Sequence, residues 1–210
     1  MFDKLIDRDS AAESVRPSRR TFLAVGAAAG GGLLLSVSMP GWIGAADAAD
    51  AASFAPNAFV RIGRDGVVTL VMNQVEMGQG TYTSMPMLIA EELEVELAKV
   101  KLEHAPADDK LYGNPLLGFQ VTGGSTSVRG FWKPLRVAGA TARTMLIEAA
   151  AVAWKVDAAS CRAVKGEVVH TASGRKLGYG QLVDAAAKLP VPANVPLKDR
   201  KDFTLIGTSA

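Results

Sequence analysis

The chain has 210 residues, of which 49% are hydrophobic, so it is long enough for one globular domain with its own core. A net charge of +2 and an aromatic content of 6%, without a basic stripe interleaved with rings, argue against a nucleic-acid-binding protein. The single cysteine, Cys161, excludes an internal disulfide. It also excludes an iron–sulfur cluster held by this chain alone, because such clusters take about four protein ligands.

The N-terminal segment, residues 1–50, is predicted to be a twin-arginine export leader. Arg19 and Arg20 stand just before an apolar run over residues 22–39, and small residues that offer two A-x-A cleavage sites follow it. The alternative is a membrane-spanning anchor, for which the run has borderline length. The leader predicts a periplasmic location, with a membrane tether if the leader is retained. Because the twin-arginine route carries folded proteins, it also favours insertion of a cofactor before export.

After the leader, strands and helices mix without a regular βαβ series, which predicts an α+β fold in one mixed lobe of β-hairpins and helices. A first hairpin is predicted to join Phe59–Ile62 to Val67–Val71. A second is predicted to join Cys161–Val164 to Glu167–His170, and Val100–His104 alternates as a single strand does.

Three helices are predicted. The first begins near Pro86, and the second begins near Pro134 or has kinked first turns. The third lies within residues 177–189, and the Pro-rich, then charged stretch over 191–210 is interpreted as a linker to a further domain. The carboxylates of the first helix are interpreted as its solvated face: Glu91, Glu92, Glu94 and Glu96. The apolar stripe of the second is predicted to be Leu135, Ala138, Ala142, Met145, Leu146, Ala149, Val152 and Ala153.

Two glycine-rich loops, each followed by a predicted helix, are the candidates for a ligand site. The first contains Gly78, Gln79 and Gly80; the second runs through Gly124, Ser125, Thr126 and Ser127. A helix N-terminus offers unpaired N–H groups, and glycines let a ligand approach the backbone closely. Neither loop is a Walker loop or a G-x-G-x-x-G fingerprint. From these residues alone, a site for a phosphate-bearing cofactor and ordinary turns with helix caps are equally supported.

The remaining polar residues predict neither a catalytic group nor a metal ligand. His104 and His170 lack metal-ligand spacing to any partner. Cys161 is interpreted as a small buried residue, and Glu76, beside the first loop, as a structural carboxylate.

The segments "EMGQGTYTSMPMLIAEEL" and "GFQVTGGSTSVRGFWKPLRVAGATARTML" resemble the molybdopterin-binding large subunits of the xanthine dehydrogenase/aldehyde oxidase family, most of all the isoquinoline 1-oxidoreductase β-subunit type. The resemblance runs from about residue 54 onward and makes 54–190 a partial molybdopterin-binding domain. It implies that Gly78, Gln79 and Gly80 lie against the pterin near the metal. It implies further that the second loop meets the pterin or its phosphates, through Gly124, Ser125, Thr126 and Ser127.

The family also implies the chemistry. Its cofactor is a molybdopterin, commonly the cytosine dinucleotide, whose dithiolene holds the molybdenum, so no protein side chain need ligate the metal. The reaction hydroxylates an aldehyde or an N-heterocycle with oxygen from water, and electrons leave through a small iron–sulfur subunit. Family large subunits are several times longer and carry their general-base glutamate further along. We therefore expect an N-terminal part, inactive without the remainder of the large subunit. The alternative is a non-catalytic exported domain that binds a partner or a piece of cofactor at most.

Overall fold

The computed structural model describes residues 32–36 and 58–208, so most of the segment interpreted as a leader lies outside the described residues. The described part is α+β, as predicted. Its strands are β1 (Gly32–Ser36), β2 (Ala58–Gly63), β3 (Val68–Met72), β4 (Val100–His104), β5 (Cys161–Val164), β6 (Glu167–His170) and β7 (Lys176–Gly178). Its α-helices are α1 (Thr81–Leu93), α2 (Asp109–Tyr112), α3 (Ser127–Trp154) and α4 (Tyr179–Ala186).

The larger sheet has the order β1-β2-β3-β4, and the first loop lies at the end of its inner strand β3. β2 and β3 form the predicted antiparallel hairpin, and β1 pairs antiparallel with the other side of β2. β4 runs parallel to β3, with Met72 opposite His104. Because α1 connects these parallel strands, the first loop, between β3 and α1, lies at the carboxyl ends of both strands.

The smaller sheet has the order β5-β6-β7 and is antiparallel throughout. The predicted hairpin of β5 and β6 turns at Lys165 and Gly166, whose φ angles of 50° and 83° are both left-handed. Cys161 is buried, as predicted, and its thiol is free.

The core is centred on the contact between α1 and α3. Gly139 of α3 makes this contact close, because a Cβ there would lie 2.5 Å from the carbonyl oxygen of Ile89 and 3.0 Å from Cβ of Glu92. The apolar stripe predicted for α3 is buried from Leu135 to Ala149. Its last two members were predicted wrongly: Val152 is 62% exposed and Ala153 is exposed, while Ala150 and Ala151 are the buried residues of that turn.

α1 begins earlier than predicted from Pro86, and α3 begins before Pro134, as the alternative with kinked first turns allowed. α1 begins at Thr81 and α3 at Ser127, so Pro86 and Pro134 lie inside the helices. Each proline costs its helix one N–H···O bond. Both rings are buried, and packing of the helices outweighs that loss.

The glutamates of α1 were interpreted as a solvated face, and for two of them this is wrong. Glu91 and Glu92 are 1% and 0% exposed. Glu92 binds two cations of α3, Arg136 at 2.6 Å and Arg143 at 3.2 Å. Glu91 binds Lys198 at 2.6 Å, on the C-terminal stretch that we call the strap, residues 196–206.

The strap is held mainly by backbone hydrogen bonds to these carboxylates. The N–H groups of Thr204, Leu205 and Ile206 donate to Glu91, and that of Lys198 donates to Glu92. Burial by itself would raise the pKa of Glu91, but the hydrogen bonds from Lys198 and the three strap N–H groups outweigh it and lower this pKa. The segment interpreted as a linker therefore lies against α1. Within the described residues, no helix has both the length and the apolar character needed to cross a bilayer.

Candidate functional site

The first loop, residues 74–80, is organised around the carboxylate of Glu76. This carboxylate accepts hydrogen bonds from the N–H groups of Gly78 at 2.6 Å, Gly80 at 3.0 Å and Tyr82 at 2.9 Å. The Tyr82 and Gly80 bonds, the two largest causes, lower the pKa of Glu76 to about 2, although partial desolvation acts against them. Gly78 and Gly80 have φ angles of 95° and 83°, which favour glycine. The backbone N–H groups of the loop thus converge on the Glu76 carboxylate, and α1 begins directly after the loop.

Gln79 uses its side chain inside the first loop. Its amide nitrogen donates to the carbonyl of Val75 at 2.8 Å, and its amide oxygen accepts from the N–H of Met77 at 2.6 Å. The residue is exposed. Gln79 therefore lies at the loop surface, and its amide group stabilises the turn.

The second loop, residues 122–127, contains a tight turn of type I′. The N–H of Thr126 donates to the carbonyl of Gly123 at 3.2 Å, and the central residues Gly124 and Ser125 have φ angles of 60° and 51°. Thr126 is buried, and its hydroxyl accepts from Asn114 at 2.6 Å and donates to Gly123 at 2.7 Å. Gly124 and Ser125 are exposed. Thr126 thus holds the loop, and its neighbours Gly124 and Ser125 present the loop surface.

Two hydrogen bonds join the loops. The N–H of Val75 donates to the hydroxyl of Thr122 at 2.8 Å, and the hydroxyl of Ser127 donates to the side-chain oxygen of Gln74 at 2.8 Å. Gln74 is 1% exposed, so the hydrogen bond that joins the loops through its side chain is buried. The structure therefore brings together the two sets of predicted site residues, which are more than forty positions apart in the chain.

Several residues of this region were not singled out from the sequence. Gln74 and Thr122 look like ordinary polar residues there, and only the fold shows that they connect the loops. Among the described residues, the side-chain oxygen of Asn73 is buried and has no hydrogen-bond partner. The hydroxyl of Tyr82 lies 2.7 Å from Nε2 of His104, at the same edge of the sheet. The parallel pairing of β3 and β4, which places His104 there, has no local signal in the sequence.

The chain matches the molybdopterin cofactor-binding domain family over residues 11–209, and it therefore belongs to that family. It is 41% identical over 193 residues to isoquinoline 1-oxidoreductase subunit beta of Brevundimonas diminuta, a match that covers 89% of this chain and 24% of that protein. It is 29% identical over 214 residues to a membrane-bound aldehyde dehydrogenase (pyrroloquinoline-quinone) of Gluconacetobacter polyoxogenes, covering 97% of this chain and 26% of that protein. The resemblance seen in the two loops is confirmed.

Among solved structures, reconstituted CO dehydrogenase from Oligotropha carboxidovorans aligns with a TM-score of 0.48 and 22% identity. That alignment covers 59% of this chain and 15% of the CO dehydrogenase chain. The chain spans about a quarter of the length of the two curated relatives named above.

The residues present fit a molybdopterin. A Cβ added at Gly78 or Gly80 would meet no atom within 4 Å, and at Gly124 only a methyl of Thr126 at 3.6 Å. The space beside these glycines is therefore open to a flat or phosphate-bearing group that lies on the backbone. The described residues contain no group of three or more His, Cys, Asp or Glu side chains able to hold a metal. A cofactor that carries its metal on its own sulfur atoms needs no such group.

Proposed function

We propose that this chain is the first cofactor-binding segment of an exported molybdenum hydroxylase. Its cofactor is a molybdopterin in the cytosine dinucleotide form, and the complete enzyme oxidises aldehydes or N-heterocycles with water as the oxygen source. The observation that carries the proposal is the pair of glycine-rich loops, joined by the Val75–Thr122 and Gln74–Ser127 hydrogen bonds and open to solvent at Gly78, Gly80 and Gly124.

In this proposal the chain binds and orients the cofactor. The backbone around Gly78, Gln79 and Gly80 lies against the pterin, and Gly124, Ser125 and Ser127 offer N–H and hydroxyl groups to the pterin or its phosphates. The bound cofactor supplies the redox chemistry. Glu76 is not assigned as the general base, because its carboxylate accepts several hydrogen bonds and its pKa of about 2 makes it a poor proton acceptor at neutral pH.

Partners of the site are the remainder of the large subunit and a small iron–sulfur subunit that removes the electrons. The isoquinoline 1-oxidoreductase relative is named as a subunit, and this chain's match covers 24% of it; both facts support this part of the proposal. Exposed apolar side chains next to the loops also support it, since a surface of this kind marks a contact with another protein part. They are Val75, Met77, Leu116, Leu117 and Phe119, each between 43% and 69% exposed.

The cofactor site is tested by Gly124→Asp in the chain co-expressed with a segment equivalent to the remainder of the large subunit. The substitution puts bulk and negative charge where a phosphate would lie, so molybdenum and pterin content should fall at least about tenfold. Gly174→Asp is a matched control. Gly174 also has a left-handed φ, 68°, and open space at its Cβ, but it lies between β6 and β7. Equal molybdenum content in both variants would refute the placement of the second loop.

Export is tested by replacing both leader arginines, Arg19→Lys together with Arg20→Lys. The proposal expects the protein to stay in the cytoplasm, because the twin-arginine pathway reads this pair. Fractionation followed by immunoblotting measures it, with Arg16→Lys as the control outside the pair. Continued delivery of the double variant to the periplasm would contradict the leader.

A further inference from the structure

The outer edge of β4 is open to a further strand. β4 is the last strand of the larger sheet, and within the described residues it pairs with β3 alone. Residues 101–104 are all exposed. The N–H of Ala105 donates to the carbonyl of Met72 at 2.8 Å, so alternate residues from Lys101 onward direct their backbone groups towards β3. The backbone groups of Leu102 and His104 therefore point away from the sheet, where another strand can bind them.

We propose that this edge binds the same edge of a second copy of the chain, in an antiparallel pair centred on Leu102. In this register, Leu102 lies opposite Leu102 of the second copy, and each N–H donates to the carbonyl of the other. The N–H of His104 donates to the carbonyl of Val100 in the second copy. The N–H of Val100 is not required, because it already donates to the carbonyl of Leu97. A two-fold axis relates the copies, so the assembly closes as a dimer.

The charges of β4 favour this partner and this direction. Because Lys101 and Glu103 flank Leu102, the antiparallel pair places Lys101 of each copy opposite Glu103 of the other. These are the non-hydrogen-bonded positions, at which side chains on neighbouring strands come closest. A parallel pair in the same register would place Lys101 against Lys101 and Glu103 against Glu103, and like charges directly opposite each other are destabilising. The charge pattern thus selects the antiparallel dimer over the parallel one.

The side chains of β4 are available for this contact. Charged residues on an edge strand often prevent pairing, but in this register they attract a second copy. Glu103 binds Arg61 of β2 in its own copy, yet its side chain is 50% exposed, so its carboxylate can also accept from Lys101 of the second copy. On the other face of the strand, Leu102 is 37% exposed. Pairing therefore covers apolar surface as well as the strand edge.

The test is sedimentation equilibrium of the purified 210-residue chain over a concentration series. A pair of five-residue strands is a small interface, so we expect a reversible dimer with a Kd on the order of 0.1 mM. Lys101→Glu and Glu103→Lys each place like charges opposite each other and should weaken the dimer about tenfold or more. The double variant, Lys101→Glu with Glu103→Lys, should restore it. Lys133→Glu is the control, since Lys133 is an exposed residue of α3.

A mixture of the two single variants separates this dimer from association through any other surface. Alone, each variant repels its own copy, but Lys101→Glu paired with Glu103→Lys has opposite charges at both positions, so the mixture should form a heterodimer with about the parent affinity. Thermal melts verify that the variants fold; the Arg61–Glu103 pair that Glu103→Lys removes is exposed and contributes little.

Three results would overturn the proposal: a parent chain that stays monomeric at about 1 mM, well above the expected Kd; a dimer that Lys101→Glu does not weaken; and a mixture that does not associate. A monomeric chain whose Leu102 and His104 amides become protected from exchange only when a segment equivalent to the remainder of the large subunit is added would assign the edge to that segment, and would likewise overturn the dimer.

Discussion

At the scale of single residues, Glu76 shows how one carboxylate can set the shape of a glycine-rich loop. It accepts from three backbone N–H groups, and the hydroxyl of Thr81 lies 3.3 Å away. An aspartate would be one methylene too short to reach them all, and an amide would present its own N–H₂ group to some of the donors. The sequence-based interpretation of Glu76 as a structural carboxylate agrees with this geometry.

Glu76→Gln should loosen the first loop. We expect several-fold faster amide exchange at Gly78, Gly80 and Tyr82, because the replacement keeps a single acceptor oxygen. Hydrogen exchange followed by NMR measures this, with Glu148→Gln, an exposed residue of α3, as the control. Because the pKa of Glu76 is lowered, its contribution is present above the ordinary value of 4.5 and is lost as the pH falls towards about 2. Unchanged exchange at the three amides would show that the loop holds its shape without this carboxylate.

At the scale of elements, the pairing of α1 with α3 explains which helix features were predictable. The apolar stripe of α3 follows the helical period and was predicted correctly from Leu135 to Ala149. The first residues of α1 and α3 were harder to predict. Pro86 and Pro134 are strong local signals for a helix start, but tertiary packing overrides them. The starts depend instead on Glu76 and on the turn at Gly124, and such contacts between loop atoms have no periodic pattern.

Gly139→Ala tests the close contact of the two helices. The substitution improves helix propensity by about 1 kcal/mol. The new methyl carbon would lie 2.5 Å from the carbonyl oxygen of Ile89, and relieving that contact must move backbone. We therefore expect a net loss of about 1–3 kcal/mol in the free energy of unfolding, measured by urea denaturation.

Gly130→Ala is the control on the same helix. Its nearest neighbours would be side-chain atoms of Asn114 and Pro115 at 3.4 Å, so the change should stay within about 1 kcal/mol of the parent protein. A Gly139→Ala protein as stable as the parent would mean that α1 and α3 can separate freely.

At the scale of the whole molecule, buried charge joins apolar packing in deciding where the C-terminal stretch lies, because Leu205 and Ile206 also pack against the core. Glu91 and Glu92 bind α3 and the strap together, so residues more than a hundred positions apart form one cluster. The sequence could not show this. A row of glutamates on a helix is most simply interpreted as a solvated face. The cations that pair with two of these glutamates are far away in the chain: Arg136, Arg143 and Lys198.

Glu91→Gln should release the strap. The substitution leaves Lys198 paired with Glu94 alone, at 2.7 Å, and takes a charged acceptor from the N–H groups of the strap. We therefore expect a loss of about 1–3 kcal/mol in the free energy of unfolding. Amide protection at Thr204, Leu205 and Ile206 should fall with it. Asp199→Asn is the control, since its carboxylate is 76% exposed in its pair with Lys201.

The pH dependence follows from the same cluster. The pKa of Glu91 is lowered, so its contribution is present above 4.5 and is lost as the pH falls through the folded value. The pKa of Lys198 is raised by Glu91 and Glu94 against the effect of burial, so its contribution is present below 10.5 and is lost as the pH rises. Strap protection that is the same at neutral pH and at the acid limit of the folded protein would contradict this account.

The outer strand β1 lies within the apolar run that we interpret as part of the export leader. Its residues, Gly32–Ser36, pair with β2. The predicted cleavage sites lie after it, so maturation would remove a strand that the sheet otherwise contains. The outer side of β2 would then present a row of unpaired N–H and C=O groups, which another strand can fill. If the proposed leader is cleaved, the cut would therefore also expose a strand edge at which another chain segment can pair.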